Sequence, residues 1–235
     1  MSQQRAAPPD GPPVLLLTRP EAASRRFAAE VRALAPGDWR AVIAPLLRIV
    51  PLADPAAPDG VPVFTSAHAV PFAGPGGGAP AWCVGPRTAE AARRAGWAPC
   101  EGGTGGDVEA LLGAILSAPP APVVHLRGVH TRGRLAARLR AAGRPASERV
   151  VYDQVARPLT DAARGALAGA APVIAPVFSP RSAALLAEAV GNPAAPFRVI
   201  AVSAAAAEPL RRWSPVVAAR PDGPAMAEAT AALLR

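Results

Sequence analysis

Short apolar runs recur along most of the chain, each closed by a hydroxyl, glycine or basic residue and followed by a segment with helical periodicity. The first, "VLLLTRP" at 14–20, predicts a buried strand. Behind it Phe27, Val31 and Leu34 recur at i, i+4 and i+7, the spacing of one helical face. The same order of strand and helix returns at 61–73, 80–95, 122–142, 172–190, 198–212 and 215–234. Strands alternating with helices predict an α/β fold of parallel sheets wrapped by helices.

Two stretches break this rhythm. "AVIAPLLRIVPL" (41–52) and "ERVVYDQVARPL" (148–159) are long and extended, alternate apolar with polar positions, and end in Pro-Leu. They predict a pair of crossover segments, one leaving a first domain and one returning to it. The expected organisation is a leader at 1–13, a first α/β domain from 14–44 and 158–235, crossover strands at 45–50 and 151–157, and an inserted α/β domain at 51–150. A single larger doubly wound domain is the alternative.

The rhythm is also written twice. "PVFTSAHAV" (62–70) leads to "AWCVGPRTAEAARRAGWAP" and "GGTGGDVEALLGAIL"; "PVFSPRSAALL" (176–186) leads to "RVIAVSAAAAEPLRRWSPVV" and "ARPDGPAMAEATAALL". "VLLLTRPEAASRRFAAEVRAL" is echoed by "VVHLRGVHTRGRLAARLRAAG". Two similar α/β domains follow from that repetition.

Composition narrows the partners. The net charge of +8 favours an anionic ligand over a cationic one. Every basic residue is Arg and none is Lys, a pattern that coding bias in a GC-rich genome produces. Arg suits carboxylates and phosphates through its planar fork of donors. Nucleic acid is disfavoured: no basic block reaches five residues, aromatics are few, and no zinc-finger spacing occurs. No apolar run approaches the ~20 residues of a membrane helix. The start "MSQQRAAPPDGPP" lacks a secretory apolar segment and reads as a disordered leader, so the expected location is the cytoplasm. Cys83 and Cys100 match no disulfide or CxxC pattern and read as bystander thiols.

Candidate chemistry gathers at the strand ends: Thr18 and Arg19 before Pro20, Thr65 and Ser66, Gly85 before Pro86, Arg127 and Gly128, Ser179 before Pro180, and Ser203. Singly, each is an ordinary helix start, since Ser, Thr and Gly cap helices and Pro suits the first helical position. Together they predict more. Ligands of open α/β sheets bind beyond the carboxyl ends of the strands, and helix N-termini there attract anions. With Arg87 and Arg181 alongside, the expected ligand bears many carboxylates or phosphates. Other chemistries lack their signatures. No GxxxxGK[ST] or GxSxG occurs, the glycines of "GPGGGAP" and "GGTGGD" read as loops, and His68, His125 and His130 do not form a metal set. His125 reads as core, and His68 and His130 lie near the cleft without being expected to touch the ligand. No carboxylate pair suggests acid–base catalysis, so an enzyme here works by positioning a reactive substrate.

In order, "LLTRPE", "VFTSAHAV", "CVGPRTAEAARRAGW", "HLRG", "VVYDQV", "FSPRSA" and "ARPDGPAM" resemble the uroporphyrinogen-III synthase family over residues 14 to about 234. The resemblance implies two α/β domains joined by a two-stranded β-ladder, with the active site in the cleft between them. It implies a cofactor-free hydro-lyase that cyclises hydroxymethylbilane, a linear tetrapyrrole with eight carboxylates, to uroporphyrinogen III. It also implies a monomer in heme biosynthesis, with transient contact to hydroxymethylbilane synthase. The family's tyrosine, which helps the hydroxyl leave, matches Tyr152, the only Tyr present. Its cleft-facing Thr matches Thr88, and a second such Thr is replaced here by Ala206 or a neighbour. A non-catalytic tetrapyrrole or polyanion binder of the same fold is the first rival reading. A phosphate- or sugar-binding protein of another family is the second.

Overall fold

The computed structural model describes residues 11–101, 107–130 and 133–235, with the side chains of Cys100 and Glu101 left out. The expected leader up to residue 10 and most of the "GGTGGD" loop lie outside the described residues. The elements run β1 (Val14–Leu17), α1 (Glu21–Leu34), β2 (Arg40–Ile43), β3 (Leu47–Pro51), β4 (Val61–Phe64), a 3-10 helix (Ala67–Ala73), β5 (Pro80–Cys83), α2 (Pro86–Arg94), β6 (Ala98–Glu101), α3 (Val108–Ser117) and β7 (Val123–Gly128). They continue with α4 (Leu135–Ala141), β8 (Ala146–Ala156), α5 (Asp161–Ala168), β9 (Val173–Val177), α6 (Pro180–Val190), β10 (Phe197–Ala201), α7 (Ala204–Ala207), a second 3-10 helix (Glu208–Trp213), β11 (Val216–Val217) and α8 (Gly223–Leu234).

These elements form two compact units, one of the residues up to Arg48 with Ala156–Arg235, the other Ile49–Val155. In the first, the strands stand in the order β11-β10-β9-β1-β2, and every pairing between neighbours is parallel. In the second sheet the order is β3-β8-β7-β4-β5-β6. Its pairs β7–β8, β4–β7, β4–β5 and β5–β6 are parallel. Both sheets share one plan: three consecutive strands run outward starting from an inner strand (β9 or β4), and the remaining strands, β1 and β2 in one sheet and β7, β8 and β3 in the other, lie on its other side. The order reverses beside that inner strand, where such sheets bind ligands.

The inner strands are apolar because both of their faces are covered. Val14, Leu15, Leu16 and Leu17 are wholly buried, and alternate residues of β1 feed two separate cores. Full burial of one such Leu contributes about 1.5–3 kcal/mol. In the second unit Val63 and Val123 pack under α3 and α4, while Phe64, Val124 and Leu126 pack with the 3-10 helix and α2. Arg144 fastens that first face: buried, it donates to the carbonyls of Ile115, Leu116, Ala118 and Pro119. It thus serves the orphan carbonyls at the end of α3.

Three local expectations are corrected. The stretch after "PVFTS" is a 3-10 helix rather than an α-helix, with Pro71 inside it. Pro71 removes an N–H and crowds the preceding turn. The run 41–52 is not one extended segment; it breaks at 44–46 into β2 of one sheet and β3 of the other. On α1, Phe27 and Val31 are buried but Leu34 is 43% exposed, because Ser24 and Ala35 complete the buried stripe and Leu34 falls at its edge.

Candidate active site

In each unit the chemistry-bearing residues cluster at the carboxyl ends of the strands beside the reversal point. In the first unit these are Thr18 and Arg19 after β1, and Ser179 and Arg181 after β9. Thr18 is buried and its carbonyl accepts from Leu46 N at 3.1 Å. Arg19 lays its guanidinium 4.0 Å from the Phe178 ring centroid. Ser179 caps α6, its Oγ accepting from Ser182 N at 3.1 Å. Ser203, after β10, accepts from Ala206 N at 3.3 Å. Ala206 is wholly buried in the core, where a larger side chain would need space. The α7 helix that follows Ser203 has four residues, too short for a substantial dipole.

In the second unit Thr65 and Ser66 follow β4, Arg127 and Gly128 close β7, and Gly85 and Thr88 begin α2. Ser66 Oγ accepts from His68 N at 3.3 Å. Gly85 precedes Pro86, the first residue of α2, and Thr88 is buried in its first turn, donating its N–H to the Gly85 carbonyl. Arg127 departs from expectation. Its Nε and Nη2 donate to both carboxylate oxygens of Glu148, at 3.1 and 3.2 Å, and Nη1 donates to the Gly128 carbonyl. That guanidinium holds the Glu148 carboxyl below its ordinary pKa. No helix begins at Gly128 either, since α4 starts only at Leu135.

Tyr152 is the residue most strongly shaped by its surroundings. The β7–β8 register slips between Arg127 and Gly128, so that Arg127 faces Val150 but Gly128 faces Tyr152. Strict alternation would send Val151 and Tyr152 to opposite faces, yet both join the same apolar cluster. The irregularity therefore re-aims the tyrosine, as bulges do near ligand sites. Its ring stacks on Phe72 (centroids 6.3 Å, 19°) and meets His68 edge-on at 6.0 Å. It also covers Gly128, where a Cβ would lie 2.5 Å from Cε2. Glycine is required there by close approach. Among the described residues, no hydrogen bond ties the Tyr152 hydroxyl.

The histidines separate. His68 is half-buried in this neighbourhood, and burial, reinforced by the Arg87 guanidinium, lowers its pKa. His130 Nε2 lies 3.4 Å from Asp153 Oδ1. His125 is buried as expected, but not among apolar groups alone: its Nε2 sits 2.9 Å from Thr65 Oγ1. Burial, aided by Arg127 and opposed by Glu148, pushes its pKa down to about 4. Neither that contact nor the Arg127–Glu148 pair has a local sequence signal, since the partners are 60 and 21 residues apart. A groove of about 260 Å³ lined by Phe197, Arg198, Trp213, Ser214 and Val216 opens at the start of β10, away from Ser203, and holds none of these groups.

Comparison with known proteins identifies the family and the fold. The family model of uroporphyrinogen-III synthase HemD matches residues 28–228. The fold is similar to the crystal structure of uroporphyrinogen-III synthetase from Helicobacter pylori 26695, at TM-score 0.62 and 16% identity, covering 95% of this chain and 99% of that one. A mutant uroporphyrinogen III synthase from the extremely thermophilic bacterium Thermus thermophilus matches at TM-score 0.49 and 15% identity, covering 92% and 96%. No curated protein matches. With the family model spanning most of its length, the chain belongs to the uroporphyrinogen-III synthase HemD family.

Proposed function

We propose that this protein dehydrates and cyclises hydroxymethylbilane to uroporphyrinogen III, with inversion of ring D, as a hydro-lyase of heme biosynthesis. The observation that carries this reading is the doubled set of strand-end turns, built on one topological plan, in a chain of this family. Eight substrate carboxylates call for many donors, and turns of both units supply them. Within the proposal, 14–44 with 158–235 and 51–150 are the two domains, 45–50 and 151–157 link them, and the substrate binds in the cleft between.

The substrate loses its terminal hydroxyl as water, giving an azafulvene cation. That cation attacks ring D at its substituted carbon to give a spirocycle, which fragments and recloses with ring D inverted. Tyr152 donates a hydrogen bond to the departing hydroxyl. Thr18, Arg19, Thr65, Ser66, Gly85, Thr88, Gly128, Ser179, Arg181 and Ser203 bind carboxylates by backbone and side chain. Arg127, held beside the turn by Glu148 and the Gly128 carbonyl, contributes through its remaining Nη2 N–H. Because the substrate closes unaided in water to the type I isomer, folding and steering it are the main tasks. The enzyme then needs no cofactor, acts as a cytoplasmic monomer, and takes its labile substrate through transient contact with hydroxymethylbilane synthase.

The test supplies porphobilinogen and hydroxymethylbilane synthase, then separates the oxidised products chromatographically. Type III isomer is expected, with activity surviving dialysis against chelator. Type I product alone would overturn the reading in favour of a non-catalytic binder.

A further inference from the structure

The reaction as described leaves His125 unused. It is 3% exposed, its Nε2 meets Thr65 Oγ1 at 2.9 Å, and its Nδ1 has no hydrogen-bond partner among the described residues. Two neutral tautomers fit these contacts. With the proton on Nδ1, a buried N–H lacks an acceptor, and Nε2 takes the Thr65 proton, turning that hydroxyl inward. With the proton on Nε2, the ring donates to Thr65 Oγ1, and the only unmatched atom is a lone pair. Orphaned buried N–H groups are rarer than under-used acceptors, so the second arrangement is favoured. In it, Thr65 retains its own proton for an outside partner.

We propose that His125 is a positioning residue whose Nε2–H donates to Thr65 Oγ1 and leaves the Thr65 hydroxyl proton directed at a substrate carboxylate. This rests on the functional reading above, in which Thr65 binds substrate. The turn itself supports it. Phe64 is fully buried, Ser66 Oγ is taken up accepting from His68 N, and Thr65 stands half-buried between them. A carboxylate only accepts hydrogen bonds, so the turn needs a hydroxyl set as donor. Strand β1, whose sequence echoes β7, carries the wholly buried Leu16 in the place of His125, so packing alone does not demand an imidazole there.

The chain's three histidines make ¹⁵N-histidine labelling a direct test, with the His125 signals assigned by their loss in His125→Gln. At neutral pH the proton is expected on Nε2; a proton on Nδ1 in an active enzyme would overturn this inference alone. In kinetics with hydroxymethylbilane, His125→Leu should raise KM about two- to tenfold, the scale of one hydrogen bond, and change kcat by less than about twofold. His125→Gln, which can still donate, should recover most of that loss. In a Thr65→Val background His125→Leu should add nothing; an equal loss there would mean that His125 acts by packing, and would refute the link. Wild-type protein that makes no type III isomer would instead overturn the functional reading and the substrate half of this inference, even with Nε2 protonated.

Discussion

The phrase Pro-Val-Phe is written at 62–64 and 176–178, and each copy ends an inner strand of its own sheet. In the first unit Ser179 follows at once, caps α6 and, among the described residues, bonds only locally, to Ser182. In the second unit one more residue intervenes. Ser66 takes the capping role, and Thr65 is left to reach across the sheet to His125. The phenylalanines diverge too. Phe64 is buried edge-on to Trp97, whereas Phe178 is half-exposed, lying between the Phe27 ring and the Arg19 guanidinium. One inserted residue thus converts a local cap hydroxyl into a cross-strand partner, and the two turns present different chemistry from nearly the same words.

Acid should separate the units most. All three histidines lie in Ile49–Val155. His125 takes up its proton near pH 6.5 when unfolded but only at about 4 when folded. Between those values the unfolded chain binds more protons, so stability falls as pH falls, and the loss reaches about 3 kcal/mol near pH 4. His68, also lowered, adds in the same direction. Hydrogen exchange at pH 6.5 and 4.5 should show protection lost from the second unit well before the first, with His125→Leu flattening the difference. Equal loss in both units, unchanged in that variant, would assign acid sensitivity to carboxylates instead.

Gly128→Ala should cost about 1–3 kcal/mol of stability, the usual cost of overpacking, because the Tyr152 ring must leave its place. Type III production should fall with it. A variant that melts like wild type would show that the ring shifts freely and that the bulge does not fix it. Tyr152→Phe keeps the ring and removes the hydroxyl. It should lower kcat about ten- to a hundredfold, the low end of general-acid help, while the product stays mostly type III. Single-turnover kinetics with isomer chromatography decides. Wild-type rates would leave Tyr152 a packing residue, and a switch to type I would make it a steering one.

Which parts of this were legible in the sequence follows from range. The strand–helix rhythm, the doubled strand-end turns and the burial of β1 depend on neighbours a few residues apart, and periodicity carries them. The re-aiming of Tyr152 depends on a register slip between β7 and β8, which alternation within β8 alone contradicts. Arg127 read as a strand-end ligand for anions, and Glu148 stands beside it only once the strands pair. His125 read as core, and it is buried, but its contact with Thr65 is made only by the β4–β7 ladder. These three features depend on how β4, β7 and β8 pair, which lies beyond the reach of local periodicity.

The smallest effect tests the opening contrast directly. Ser179→Ala removes a cap at 3.1 Å from an α-helix of 11 residues, and should cost about 0.5–2 kcal/mol of stability. Ser66→Ala removes a contact of 3.3 Å at a 3-10 helix already interrupted by Pro71, so its loss should lie at or below the low end of that range. In substrate affinity, both should cost no more than a neutral hydrogen bond, about 0.5–1.5 kcal/mol, because the backbone amides at each turn remain. Chemical denaturation of the two variants, followed by KM measurement, makes the comparison. A Ser66 variant less stable than the Ser179 variant would mean that the 3-10 helix depends on its cap more than α6 does. A KM rise well beyond tenfold in either folded variant would mean that the side chain, rather than the main chain, holds the carboxylate at that turn.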